Sequence, residues 1–169
     1  MKRFSIFVLV LSMFSLTLYA HDNKKHTKLP LSESLLLLKN IQDKAIHLGS
    51  GPVDVHVFVD PLCPHSRNFM EMIVESDKMR LKYSYYFYLY TLPRLHSEKM
   101  VKTIYHAQNP LKLMIDVMVK KSSVKLFEDK DEGVDLKIKA ISKIAQKLDV
   151  YKRPYMVMVK KPKIKRGNP

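Results

Sequence analysis

A single cysteine stands in this chain of 169 residues. Cys63 therefore closes no disulfide within its own chain, forms no C-x-x-C redox pair and joins no multi-cysteine zinc site. Acidic residues are also scarce: 16 Asp and Glu against 30 Lys and Arg give a formal net charge of +14. No internal repeat and no long linker interrupts the chain. The longest uncharged apolar run, Phe4 to Leu18, is short for a membrane span. What is present is a hydrophobic fraction of 46%, enough to bury a core, which excludes a disordered basic tail protein. The length fits one domain.

Residues 1 to 20 have the order of a secretory signal peptide: Lys2 and Arg3, the apolar run, then Tyr19-Ala20 before the polar His21-Asp22-Asn23-Lys24-Lys25. Cleavage after Ala20 is expected, with an uncleaved membrane anchor as the alternative. No cysteine directly follows the apolar run, so a lipid-anchored lipoprotein is not expected. Removing Lys2 and Arg3 leaves 28 basic against 16 acidic residues, a formal +12. The destination is an oxidising compartment, the periplasm, where a missing second cysteine is more informative.

The mature chain reads as alternating elements. Residues 31 to 48 carry Leu35, Leu38, Ile41, Ala45 and Leu48 on one helical face, closed by Gly49, which predicts a helix in the segment 21 to 49. Val53, Val55, Val57 and Val59 alternate as in a strand. After Asp60 to Ser66, the residues Phe69, Met70, Ile73 and Val74 repeat at helical spacing. Cys63 thus lies at a strand-to-helix junction, with Pro64 suited to the first turn. Tyr83 to Tyr90 is a second strand. Ser97 can cap a helix bearing Met100, Val101, Ile104 and Tyr105, and Asn109-Pro110 can start another bearing Leu111, Met114, Ile115 and Met118. A polar loop over 122 to 133, a helix near 134 to 148 and a strand at Tyr155 to Val159 complete the pattern. This order predicts an α/β layered domain.

The series Phe58-Val59-Asp60-Pro61-Leu62-Cys63-Pro64-His65-Ser66, then Leu92-Pro93-Arg94, then Ser97 to Pro110, then Leu148 to Pro154 resembles the catalytic domain of the periplasmic disulfide isomerases DsbC and DsbG. The resemblance covers roughly residues 50 to 160. It implies a thioredoxin-like fold over 50 to 161 with an inserted helical subdomain at about 95 to 132, a C-x-x-C site opening the first helix, and a cis-proline loop facing it. Under that resemblance Arg153-Pro154 is the cis bond, and Arg153, Pro154 and Tyr155 shape the substrate groove. Departures are plain: Ser66 occupies the place of the second active-site cysteine, and His106 stands where DsbC-like proteins often carry a structural one. The segment 21 to 49 is too short for the family's dimerisation domain, and the C-terminal end is expected to be shortened.

A thiol at a helix N-terminus meets the positive end of the macrodipole and unpaired N–H donors, which favour the reactive thiolate. His65 adds to this when protonated, and the Ser66 hydroxyl can hydrogen-bond the thiolate. Cys63 can attack a disulfide to give a mixed disulfide. Without a second cysteine it cannot by itself oxidise or reduce a dithiol. Exchange with another thiol, or isomerisation resolved by the client's own cysteine, remains open. The expected partners are cysteine-containing exported proteins or a small-molecule thiol. Two further readings stand beside this one: a small buried hydrophobe, and a noncatalytic polypeptide-binding module or chaperone that lost dithiol turnover.

Neither a cofactor nor a metal is expected. A copper site would draw on Cys63, His65 and Met156, but no compact ligand cluster supports it. The tyrosines of 83 to 90 read as a core strand rather than a nucleic-acid stacking platform. From Lys152 to Pro169 there are seven basic residues and no acidic ones. That end, with its basic tail over 162 to 169, favours an anionic envelope surface or serves as a solvated tail.

Overall fold

The computed structural model describes residues 26–160. The expected leader over 1 to 20 and the basic tail over 162 to 169 lie outside the described residues. Among the described residues four strands form one sheet in the order β1-β3-β2-β4: Ile46–Leu48, Tyr83–Leu89, Val53–Val59 and Tyr155–Lys160. β2 and β3 are parallel, joined through helices α2 (Pro64–Val74) and α3 (Asp77–Lys82), while β4 runs antiparallel to β2 and β1 antiparallel to β3. α1 (Leu31–Lys39) precedes the sheet, and α4 (Glu98–His106), α5 (Pro110–Met118) and α6 (Glu132–Lys147) separate β3 from β4. Among the described residues no helix is long and apolar enough to cross a membrane.

The valine alternation of β2 marks only one of its two buried faces. Val55, Val57 and Val59 share a face with Tyr85, Phe87 and Leu89, against which Phe69 of α2 packs edge-on to Tyr85 with ring centroids 6.3 Å apart. The opposite face is also covered: His56 is 5% exposed and Phe58 fully buried. A strand with a parallel neighbour, in the middle of a sheet flanked by helices, is buried on both sides.

His56 is accommodated there by pairing. Its Nδ1 lies 2.9 Å from the Tyr88 hydroxyl and its ring stacks on Tyr86 at 5.0 Å. Burial pushes the imidazole below its ordinary value of 6.5, with the nearby Asp54 acting in the opposite direction. The folded state thus binds the His56 proton less readily than the unfolded chain does. The stability tied to a neutral His56 is present above that ordinary value and is lost as pH falls below it. The thermal midpoint is expected to drop between about pH 7.5 and about pH 5.5. His56→Gln, which keeps a partner for Tyr88 without titrating, should flatten that slope; an equal slope in both proteins would show that His56 does not carry it.

The helix expected over 31 to 48 is interrupted. α1 stops at Lys39, a short 3-10 turn follows at Gln42–Lys44, and Ile46–Leu48 becomes β1, paired Ile46 to Phe87 and Leu48 to Tyr85. The apolar positions are real, since Leu38 and Ile41 are buried. They belong to two elements whose spacings coincide with one helix, and edge pairing to β3 overrides local propensity. Gly49 therefore terminates β1 rather than a helix. It adopts φ +94°, and a Cβ there would collide with the Tyr83 carbonyl oxygen. α3, whose Ser76 side chain accepts from Met79 N–H, has no apolar periodicity and went unread. The remaining helices and strands lie within two residues of their expected positions.

His106 ties the loop before α6 to α4. Its Nδ1 lies 2.7 Å from Asp131 Oδ2 and its ring stacks on Phe127 at 3.6 Å.

Candidate functional site

Cys63 is the N-cap residue of α2, in extended conformation (φ −74°, ψ 122°), with Pro64 opening the helix. Proline fits there because its missing N–H would lack a partner anyway. The Cys63 carbonyl accepts the first helical bond, from Arg67 N–H at 3.0 Å, and its own N–H donates to the Asp60 carbonyl at 3.1 Å. The side chain points into a groove rather than onto a backbone N–H: no side-chain cap bond is made.

Asp60 builds this turn. It is fully buried, and Oδ1 accepts from Leu62 N–H at 2.8 Å, a local Asx turn that shapes the approach to the thiol. Oδ2 accepts from Leu92 N–H at 2.5 Å and from the Ser97 hydroxyl at 2.6 Å. One carboxylate thus joins the thiol turn to the segment after β3. Ser97 stands at the N-cap of α4 but makes no cap bond with its side chain, because its hydroxyl donates to Asp60 instead. Ser66 is fully buried one turn into α2, and its Oγ accepts from the Asp60 N–H at 3.3 Å. That bond fixes the turn from behind the thiol.

The groove over Cys63 has a volume of about 500 Å³. Leu92, Pro93 and Arg94 form one wall, Tyr151, Lys152 and Arg153 the other, and His65 lies exposed at the rim. Cys63 itself is 1% exposed, so the thiol is covered in this conformation. The Arg153–Pro154 bond is cis.

Arg153 holds the second wall in place. Its Nε donates to the Tyr90 carbonyl at 2.9 Å and Nη2 to the Thr91 carbonyl at 3.2 Å, while Nη1 reaches the Val150 and Lys152 carbonyls at 3.1 and 3.0 Å. The guanidinium also lies 4.0 Å from the Tyr90 ring centroid. The side chain is 8% exposed, and burial lowers its pKa below the ordinary value, opposed by the charges of Tyr90, Asp60 and Cys63. Arg153 is therefore a staple between the end of β3 and the proline loop, with its donors turned into carbonyls rather than toward a ligand.

Of the six residues picked out from the sequence, Cys63, His65 and Arg153 line one groove. Ser66 supports it from the core. Pro154 and Tyr155 face a second hollow on the other side of the proline loop, with His26, Asp149 and Tyr151. In that hollow His26 Nδ1 lies 2.9 Å from Asp149 Oδ2, and its ring stacks on Tyr151 at 3.8 Å. Sequence reading gave no role to Asp60, Tyr90, Tyr151 or Lys152; the Asp-Pro pair closing a strand was the one local signal for a structured turn at Asp60. Among the described residues no group of three or more His, Cys, Asp or Glu side chains is placed to hold a metal ion.

No family model matches the chain, and no curated protein matches it. Solved structures do. A disulfide interchange protein from Neisseria gonorrhoeae matches at 19% identity and TM-score 0.53, covering 69% of this chain and 80% of that one. The thiol-disulfide exchange protein alpha-DsbA2 from Wolbachia pipientis matches at 14% identity and TM-score 0.56, covering 78% of this chain and 87% of that one. ScsC from Proteus mirabilis, in a transitional conformation, matches at 15% identity and TM-score 0.58, covering 79% and 73%. With its βαβ unit, antiparallel β4 and helices set between β3 and β4, the chain has a thioredoxin-like fold with a helical insertion.

Proposed function

We propose that this is an exported monothiol disulfide-exchange protein of the DsbC/DsbG-like kind, with Cys63 as nucleophile. The observation that carries the reading is the position of Cys63 as N-cap of α2 in a groove whose far wall is formed by Tyr151, Lys152 and Arg153. The Cys63 thiolate attacks one sulfur of a client disulfide; a new Cys63–client bond forms and the other client sulfur leaves as thiolate. That thiolate, or a third thiol, then attacks the mixed disulfide and returns Cys63. The cycle exchanges partners without net oxidation, as one cysteine requires. His65 stands exposed at the rim, and Ser66 fixes the turn that presents the thiol. Because Cys63 is 1% exposed, reaction requires the walls at Leu92–Arg94 and Tyr151–Arg153 to part.

The same reading places the protein in the periplasm, with residues 1 to 20 as leader, 50 to 161 as the working unit and 162 to 169 as a tail for anionic envelope surfaces. Its clients are exported proteins with cysteines, or a small-molecule thiol. The burial of Cys63 also favours a second reading, a polypeptide-binding module without turnover.

Trapping in the native compartment separates the two. Mixed disulfides with client proteins, recovered after acid quench, are expected for the wild type and absent for Cys63→Ala. That variant loses one buried sulfur at a cost of about 1 kcal/mol and stays folded. No adduct in the wild type, or adducts that persist in Cys63→Ala, would refute the exchange reading.

A further inference from the structure

We infer that the groove over Cys63 takes disulfides whose cysteines are flanked by carboxylates, an inference that rests on the exchange role proposed above. Cations stand on both walls: Arg94 on one and Lys152 on the other, both exposed, with His65 exposed between them at the rim. Among the described residues no acidic side chain lines the groove. Asp60, behind the thiol turn, is fully buried and its carboxylate already accepts three hydrogen bonds. Elsewhere on the surface, Lys99, Lys112 and Lys120 are each paired with a carboxylate. Arg94 has no such pair among the described residues, and Lys152 lies over the Tyr151 ring, 5.6 Å from its centroid. Arg153 is different, since its donors are engaged by carbonyls.

Exposed cations of this kind add little to binding strength one by one. Their effect is on encounter: a cleft lined by one sign of charge raises the local concentration of the opposite sign and the rate of productive approach. Selection therefore falls on the rate at which the mixed disulfide forms. The step is the one written above, with the Cys63 electron pair making the new S–S bond and the departing sulfur, reduced, leaving as a thiolate. A carboxylate-flanked disulfide comes from two sources, a small peptide such as oxidised glutathione or an acidic stretch of polypeptide.

The test measures, by mass spectrometry of the quenched full-length mature protein, the rate at which Cys63 forms adducts with disulfide probes of different charge. Oxidised glutathione is anionic, hydroxyethyl disulfide neutral and cystamine cationic; two longer peptide disulfides carry either Glu or Lys beside the cysteine. Anionic probes are expected to react faster than cationic ones by on the order of tenfold at low salt, the gap closing near 1 M salt. The charge-reversed variant R94E/K152E should invert the order, its folding checked by circular dichroism. A faster Glu peptide than glutathione marks polypeptide as the source; the reverse marks a small thiol. Equal rates across all charges in the wild type would overturn the selectivity while leaving exchange standing. No adduct with any probe would overturn the exchange role itself, and the inference with it.

Discussion

Ser66→Cys is expected to give the chain a dithiol pair able to oxidise a client dithiol, which a single cysteine cannot do. Residue 66 sits one turn into α2 from the N-cap thiol, so the substitution sets two thiols at C-x-x-C spacing. Under oxidising conditions the variant should form a Cys63 disulfide with the introduced thiol. Given a reduced dithiol peptide, the oxidised variant should convert one equivalent to the peptide disulfide: two electrons and two protons pass from the peptide to the protein pair. The wild type, holding no disulfide, should convert none. The cost is local, because Ser66 Oγ accepts from the Asp60 N–H in a fully buried site and sulfur is a weaker acceptor. A loss of about 1 kcal/mol in the reduced form follows. If free-thiol counting under oxidant still finds both thiols, residues 63 and 66 are not arranged as this helix start requires.

The features legible in the sequence are those with a local cause. Valine alternation at Val53 to Val59, the Pro64 helix start and the apolar spacing from Phe69 to Val74 each depend on neighbours a few residues away, and together they placed Cys63 at its junction. Reading failed where two elements mimic one. Leu38, Ile41 and Leu48 fit a single helical stripe, yet the last belongs to a strand that exists because β3 offers it an edge. Side-chain partners across the fold were hidden as well. Ser97 is a sound N-cap by type, and only the approach of Asp60 from the end of β2 diverts its hydroxyl. The same holds for the second face of β2, where only the pairing with β3 brings Tyr86 and Tyr88 beside His56.

Arg153 shows how far a long-range partner can change a residue's role, and it carries the second large expected effect. From the sequence it reads as a residue that shapes the substrate groove and adds positive potential over Cys63; in the fold its guanidinium joins four carbonyls from two segments, those of Tyr90, Thr91, Val150 and Lys152. Arg153→Ala removes all of these donors and the contact with the Tyr90 ring, leaving carbonyls without partners in a site that is 8% exposed. A loss of about 3 kcal/mol in unfolding free energy is expected from denaturant titration. Arg153→Lys should recover little of it, because one ammonium cannot span a fork of acceptors on two segments. The sign of a second measurement separates staple from charge. Were Arg153 chiefly an electrostatic partner of the thiolate, its removal would slow alkylation of Cys63. As the residue that holds the Tyr151–Arg153 wall over a thiol 1% exposed, its removal should speed alkylation, and the lysine variant, though still charged, should speed it too. Slower labelling in the alanine variant with wild-type labelling in the lysine variant would return Arg153 to the electrostatic role. Faster labelling in both would mean that access to Cys63 is set by the fit of one side chain between β3 and the proline loop.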